Sequence, residues 1–235
     1  MNTIEIDQSY VANTYARFPV EIVSGKGALV TDAEGKEYID LGTGIAVNTF
    51  GVADDEWVAA VTAQLGKLQH ASNLYYTAPC ARLAQMLCER TGMKKVFFSN
   101  SGAEANECAI KVARKYGTSR KGEDAYTILT LCNSFHGRTI TTLSATGQDV
   151  FHQQFTPMTP GFVYAPANDP EAVKNFAGEI ARSSPGCFRA RIAPGSSAGT
   201  VQSSGERKNS AAYTANYDRI GYITDQLRDV PEITD

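Results

Sequence analysis

From residue 54 to about residue 176 the apolar residues alternate between helical stripes and short strand-like runs, and few folds accommodate that alternation. Asp54 or Asp55 can cap a helix whose stripe is Trp57, Val58, Val61, Leu65 and Leu68. Thr77 can cap the next, with Pro79 tolerated in its first turn and Leu83, Ala84, Leu87 and Cys88 facing inward. Val96-Phe97-Phe98 reads as a short buried strand. A helix follows over roughly 103–116, with Ala105, Ala109, Val112, Ala113 and Tyr116 on one face. Tyr126–Leu131 and Phe162-Val163-Tyr164 read as strands, and Asn168-Asp169-Pro170 signals another helix start. Strands separated by helices predict an α/β domain with a mainly parallel sheet. Such sheets place ligands at the carboxyl ends of their strands, here residues 99–103 and 132–138.

The flanking regions differ from this stretch. Residues 13–41 carry short alternating runs, Val20–Val23, Ala28–Thr31 and Tyr38–Leu41, around the turn cluster Asp32–Lys36, which predicts a small antiparallel meander. After about residue 178 the apolar content collapses. Only nine of the 58 residues from 178 to 235 are Leu, Val, Phe or Ile, too few to offset the cost of ordering that segment. The expected organisation is therefore a strand-rich segment over 1–50, the α/β region over 51–177, and a mostly disordered tail over 178–235. The acidic start Met1–Asp7 lacks the apolar core of a signal peptide, and no run approaches the length of a membrane span. A net charge of -3 with no Lys/Arg cluster argues against nucleic acid. The five cysteines form no Cys-x-x-Cys pair and predict reduced, mostly buried thiols in a cytosolic protein. His70, His136 and His152 lack metal-ligand spacing, so no metal is expected.

Two turns could carry chemistry. In Phe97-Phe98-Ser99-Asn100-Ser101-Gly102-Ala103-Glu104 a strand runs into a helix through small residues, and Ser101 and Glu104 have capping-box spacing. Free amides at that helix start can bind a phosphate, with Gly102 and Ala103 leaving room and the hydroxyls of Ser99 and Ser101 adding donors. An ordinary capped helix that binds nothing fits the spacing equally. It is not a P-loop, since the Gly-rich run and its Lys are missing. In Cys132-Asn133-Ser134-Phe135-His136-Gly137-Arg138-Thr139, Phe135 could stack on a planar ring and Arg138 could hold a carboxylate with two hydrogen bonds. A polar loop with a core Phe and a surface Arg is the alternative. His136 has no carboxylate partner nearby that would make it a general base. Gly42 and Gly44, after the strand Tyr38–Leu41, suggest tight backbone in what is otherwise a plain loop.

Five segments in order resemble the class III aminotransferases, the acetylornithine/ornithine group most closely: Tyr15–Pro19, Asp40–Asn48, Ser72–Tyr76, Phe98–Glu107 and Ser134–Thr139. The resemblance covers about residues 13–176. It implies the fold type I architecture of pyridoxal-phosphate transferases, with an incomplete large-domain sheet covered by helices on both faces and part of a small domain. It further implies that Ser101, Gly102 and Ala103 cradle the phosphate of pyridoxal 5'-phosphate, that Phe135 stacks on its ring, and that Arg138 binds the substrate α-carboxylate. The implied activity moves an amino group from N-acetylornithine or ornithine to 2-oxoglutarate in arginine biosynthesis; 4-aminobutyrate and succinylornithine are alternative donors. The family works as a cytosolic homodimer with sites at the subunit interface, near which Asn73–Tyr76 would lie.

Two departures stand out. After Phe50-Gly51 the family usually has a His-containing turn, whereas this chain has Val52-Ala53-Asp54-Asp55. The family's Glu-Pro-x-x-Gly-Glu segment, its Asp-bearing strand and its Schiff-base lysine have no counterpart here, since the only lysines beyond residue 150 are Lys174 and Lys208. A frameshift or a truncated gene would account for both the composition change and the missing motifs. The expectation is then weak cofactor retention and no turnover by this polypeptide alone. A different class of reading makes it a non-catalytic fragment that binds a full-length homologue.

Overall fold

The structure, a computed structural model, describes residues 1–183 and 220–223. The chain divides into two units, Met1–Tyr75 and Tyr76–Asp235. The first opens with helix α1, Thr3–Tyr10, capped by a reciprocal pair: Asn2 Oδ1 accepts from the Glu5 amide and Glu5 accepts from the Asn2 amide. The antiparallel meander follows as β1 (Ile22–Lys26), β2 (Leu29–Asp32) and β3 (Glu37–Ile39), in that order across the sheet. Its second turn is organised by Asp32, whose carboxylate accepts from the amides of Glu34 and Lys36 and from the Tyr38 hydroxyl. The predicted turn cluster thus forms, held by a side chain that mimics a backbone acceptor. Thr43–Ala46 is a tight turn in which all four φ angles are positive, so the backbone around Gly44 is strained as well as tight. Helix α2, Asp55–Leu65, begins where Asp54 Oδ1 accepts from the Trp57 amide.

The second unit contains α3 (Ala78–Thr91), β4 (Lys95–Phe98), α4 (Gly102–Lys121), β5 (Ile128–Leu131), α5 (Ile140–Ala145), a 3-10 turn (Asp149–Phe151), β6 (Phe162–Ala165), α6 (Pro170–Ser183) and β7 (Ile220–Ile223). Its core lies where α4 meets β5 and α5. Ala109, Ile110, Ala113, Ile128 and Ala145 are buried together, with Tyr116 and Phe162 against them. The alanines let the helix approach the strand closely, and each fully buried isoleucine contributes roughly 1.5–3 kcal/mol. Arg114 closes the edge of this core. Its guanidinium lies over the rings of Tyr126 and Phe162 and donates to the Pro160 carbonyl.

Several expectations need correction. β5 and β6 pair in parallel, as the intervening helix requires, but β4 pairs antiparallel with β7, so among the described residues the parallel sheet is one pair of strands. Phe97 of β4 is 41% exposed and Val96 and Phe98 are half-buried, so this strand is not the buried one expected. The stripe of α2 is exposed throughout, as is Leu83 of α3, while Ala84, Leu87 and Cys88 are half-buried. Periodicity identified which faces are apolar but not how far each is covered: α3 lies against β4 on its half-buried side, whereas the stripe of α2 stays exposed. Thr77 stands at the start of α3 without making a side-chain cap bond. The helix predicted over 103–116 begins one residue earlier and runs to Lys121, stopping at Gly122 with φ of 103°. Of the thiols, Cys80 is exposed and Cys88, Cys108 and Cys132 are half-buried and free, so they are not mostly buried. Most of the tail, including Cys187 and Lys208, lies outside the described residues, although α6 continues to Ser183.

Candidate functional site

The first turn of the site forms as its sequence dictates. Ser101 takes an extended conformation before α4 and its Oγ accepts from the Glu104 amide at 3.2 Å. Glu104 reaches back, though to the amide of Asn100 at 2.6 Å rather than to that of Ser101. The capping pair therefore closes one residue earlier than the standard box. Ser99 Oγ donates to the Ser101 carbonyl at 3.0 Å, so both hydroxyls already shape the turn, and Ser101 keeps its own proton to donate. The amides of Gly102 and Ala103 meet no acceptor among the described residues. They sit half-buried at the positive end of a 20-residue helix, an arrangement that favours an anion.

The second turn leaves β5 through Cys132 and Asn133, the latter at φ of 59°. Asn133 donates to the Gly147 carbonyl and Ser134 Oγ accepts from the Gly147 amide, which draws the chain after α5 back onto the turn. Phe135 is 45% exposed, Arg138 is exposed, and His136 between them is 2% exposed. Phe135 and Arg138 at the two ends of this stretch are accessible, while His136 and Gly137 between them are buried. Neither ring nitrogen of His136 has a partner among the described residues. Burial pulls its pKa down to about 4, so the ring is neutral near pH 7. A neutral ring walled off from solvent cannot serve as a proton carrier, which agrees with the absence of a carboxylate beside it in the sequence.

The two turns lie against each other. Gly137 adopts φ of 129°, and a Cβ placed on it would fall 2.7 Å from Ala103 Cβ, 2.7 Å from Thr142 Oγ1 and 3.0 Å from Ala103 Cα. Asn106 Nδ2 donates to the His136 carbonyl at 2.8 Å. Thr139 Oγ1 donates to Glu107 Oε1 at 2.5 Å and also caps α5 by accepting from the Thr142 amide. The turn that carries Phe135 and Arg138 thus packs against the end of α4 that carries Ser101, Gly102 and Ala103. Chemically the arrangement offers backbone donors for an anion, an exposed ring for stacking, and a guanidinium for a carboxylate.

The ties themselves were missed in the sequence. Asn106 and Glu107 lie one turn along the helix from Ala103, on the face that reaches the second turn, and that spacing was a usable signal. Thr146, whose Oγ1 accepts from the His136 amide at 3.0 Å, and Phe151, which touches both Phe135 and Arg138, had no local signal.

Comparison with known proteins places this geometry in context. Residues 10–187 match the family described as aminotransferase class-III, which runs past Phe176. The chain is 55% identical over 170 residues to an acetylornithine aminotransferase of Haemophilus ducreyi, covering 72% of this chain and 43% of that one. It is 46% identical over 173 residues to an acetylornithine aminotransferase of Methanocaldococcus jannaschii, covering 74% and 44%. Among solved structures, an ornithine aminotransferase from Toxoplasma gondii, whose active site holds PLP at partial occupancy, superposes with a TM-score of 0.71 at 30% identity, over 80% of this chain and 44% of that one. The chain spans about two fifths of the length of the curated relatives it matches.

Proposed function

The chain belongs to the class-III aminotransferase family, and we propose that its second unit carries the cofactor face of a transaminase that moves an amino group from N-acetylornithine or ornithine to 2-oxoglutarate. The observation that carries this reading is the close approach of Gly137 to Ala103, which packs the turn bearing Phe135 and Arg138 against the start of α4. A glycine is needed there because any side chain would collide with the first turn of α4. Donors, ring and cation together suit pyridoxal 5'-phosphate and an amino-acid carboxylate. The relatives' names, acetylornithine and ornithine aminotransferase, support the choice of donor.

In this reading the amides of Gly102 and Ala103, with the Ser101 hydroxyl, hold the phosphate. Phe135 lies on the pyridine ring, and Arg138 orients the α-carboxylate of the amino acid. The chemistry that pyridoxal 5'-phosphate supplies when bound is an electron sink for charge developing at the substrate α-carbon. The protein's part is orientation and exclusion: Arg138 fixes which end of the substrate meets the cofactor, and neutral His136 backs the turn without competing for protons. The covalent anchor is assigned to no lysine of this stretch. Lys174 is exposed on α6 and paired with Glu171 at 2.6 Å, and Lys208 lies outside the described residues. We accordingly expect weak cofactor retention and no turnover by these 235 residues alone. The complete enzyme is read as a cytoplasmic homodimer acting on small amino and oxo acids; no described helix is long and apolar enough to cross a membrane.

The test is equilibrium binding of pyridoxamine 5'-phosphate against pyridoxamine, neither of which condenses with surface lysines. A phosphate held by charge-assisted bonds should favour the phosphorylated form by roughly tenfold or more. Equal affinity for the two would remove the helix start from the site.

A further inference from the structure

Phe151 ends the 3-10 turn Asp149–Phe151 and is half-buried. Its ring centre lies 6.1 Å from that of Phe135 with the planes 70° apart, an edge-to-face pair. The guanidinium carbon of Arg138 lies 5.9 Å from the same ring centre, within cation–π range. Among the described residues no other side chain contacts both Phe135 and Arg138 through ring or charge. An exposed aromatic and a long cationic side chain would otherwise sample several rotamers, and ordering either one costs free energy. A single ring that meets both makes their orientations depend on one another.

We propose that Phe151 is a positioning residue that sets the ring of Phe135 against the cofactor and the guanidinium of Arg138 toward the substrate carboxylate. The inference rests on the roles assigned above to Phe135 and Arg138. It adds that the aromatic and cationic halves of the site are aligned by a side chain from outside both turns. Gln148, just ahead of the 3-10 turn, donates through Nε2 to the Ser134 carbonyl at 3.0 Å, so the turn that carries Phe151 is itself tied to the residue before Phe135.

The experiment is a double-mutant cycle on the full 235-residue chain, read by fluorescence titration with pyridoxamine 5'-phosphate. The variants are Phe135→Leu, Phe151→Leu, Phe151→Tyr and the Phe135→Leu/Phe151→Leu pair. Phe151→Leu should weaken binding roughly two- to fivefold, the fold-change expected for one exposed aromatic contact. Phe151→Tyr, which keeps the ring, should bind as wild type does. The double variant should bind no more weakly than Phe135→Leu alone, because Phe151 acts through Phe135. In parallel, the rate of phenylglyoxal labelling at Arg138, followed by peptide mass, should rise roughly two- to fivefold in Phe151→Leu while Arg82 is unchanged. A merely structural role would not reproduce that pattern. Additive losses in the double variant, or an unaltered Arg138 rate, overturn the inference while leaving the site reading intact. If Phe135→Leu itself leaves the affinity unchanged, or wild type shows no saturable binding, the site reading fails and the inference fails with it.

Discussion

Lowering the pH should loosen the second unit through one residue. His136 is 2% exposed, and burial depresses its folded pKa from 6.5 to about 4. The unfolded chain therefore takes up a proton first as pH falls. Stability from the buried neutral ring is complete above the unfolded pKa of 6.5 and drains away as pH drops toward the folded value. At 1.36 kcal/mol per unit, the gap is worth about 3 kcal/mol in full, and about 2 kcal/mol of it is lost between about pH 7 and about pH 5. Asp32, whose pKa is lowered chiefly by the Lys36 amide and then by the Tyr38 hydroxyl, destabilises the fold only below the ordinary carboxylate range. Tryptophan fluorescence does not isolate this region, since the single tryptophan, Trp57, belongs to the first unit. Amide hydrogen exchange over residues 128–146 does, and comparing variant with wild type at each pH cancels the pH dependence of exchange chemistry. His136→Leu, similar in volume and unable to titrate, should lose about 2 kcal/mol less protection than wild type over that range. Parallel loss in the two proteins would mean that His136 is not held neutral by burial, and the explanation of the hidden imidazole would fall.

Gly137→Ala should destabilise the second unit by about 1–3 kcal/mol and weaken pyridoxamine 5'-phosphate binding, because the new methyl lands 2.7 Å from Ala103 Cβ at a backbone φ of 129°; chemical denaturation and titration measure the two effects. Asn106→Leu should cost about 1–3 kcal/mol by leaving the buried His136 carbonyl unpaired, with faster exchange confined to residues 132–139. Arg114→Leu removes the bond to the Pro160 carbonyl and the contacts with Tyr126 and Phe162, and should cost about 1–2 kcal/mol without altering cofactor affinity. Unchanged exchange over residues 160–165 in that variant would show the clamp to be idle.

What could be read in advance was local chemistry. The meander followed from the Asp32–Lys36 cluster because one carboxylate can satisfy that turn by itself. The start of α4 followed from Ser101 and Glu104, since capping is decided within four residues. Its end did not: the apolar stripe is legible as far as Tyr116, whereas the helix continues through the buried Gly117 to Lys121. Helix α1 was overlooked although Asn2 and Glu5 have the same capping spacing. The larger errors share one cause. The stripe of α3 and the run Val96–Phe98 read as inward-facing because they are apolar, but periodicity describes one surface and says nothing of what lies on it.

The site extends that lesson. Each turn could be placed at the end of a strand from its own residues, but no local pattern states which strand ends are neighbours. In the fold β4 and β5 are not hydrogen-bonded to each other, so sheet pairing is not what joins the turns. The join is made by α4, which leaves the first turn and meets the second with Ala103, Asn106 and Glu107 against Gly137, His136 and Thr139. The first turns of α4 thus supply both the amides proposed to hold the phosphate and the platform for the turn that carries the aromatic and the guanidinium. A lesion that shifts the start of α4 is therefore expected to move both turns together.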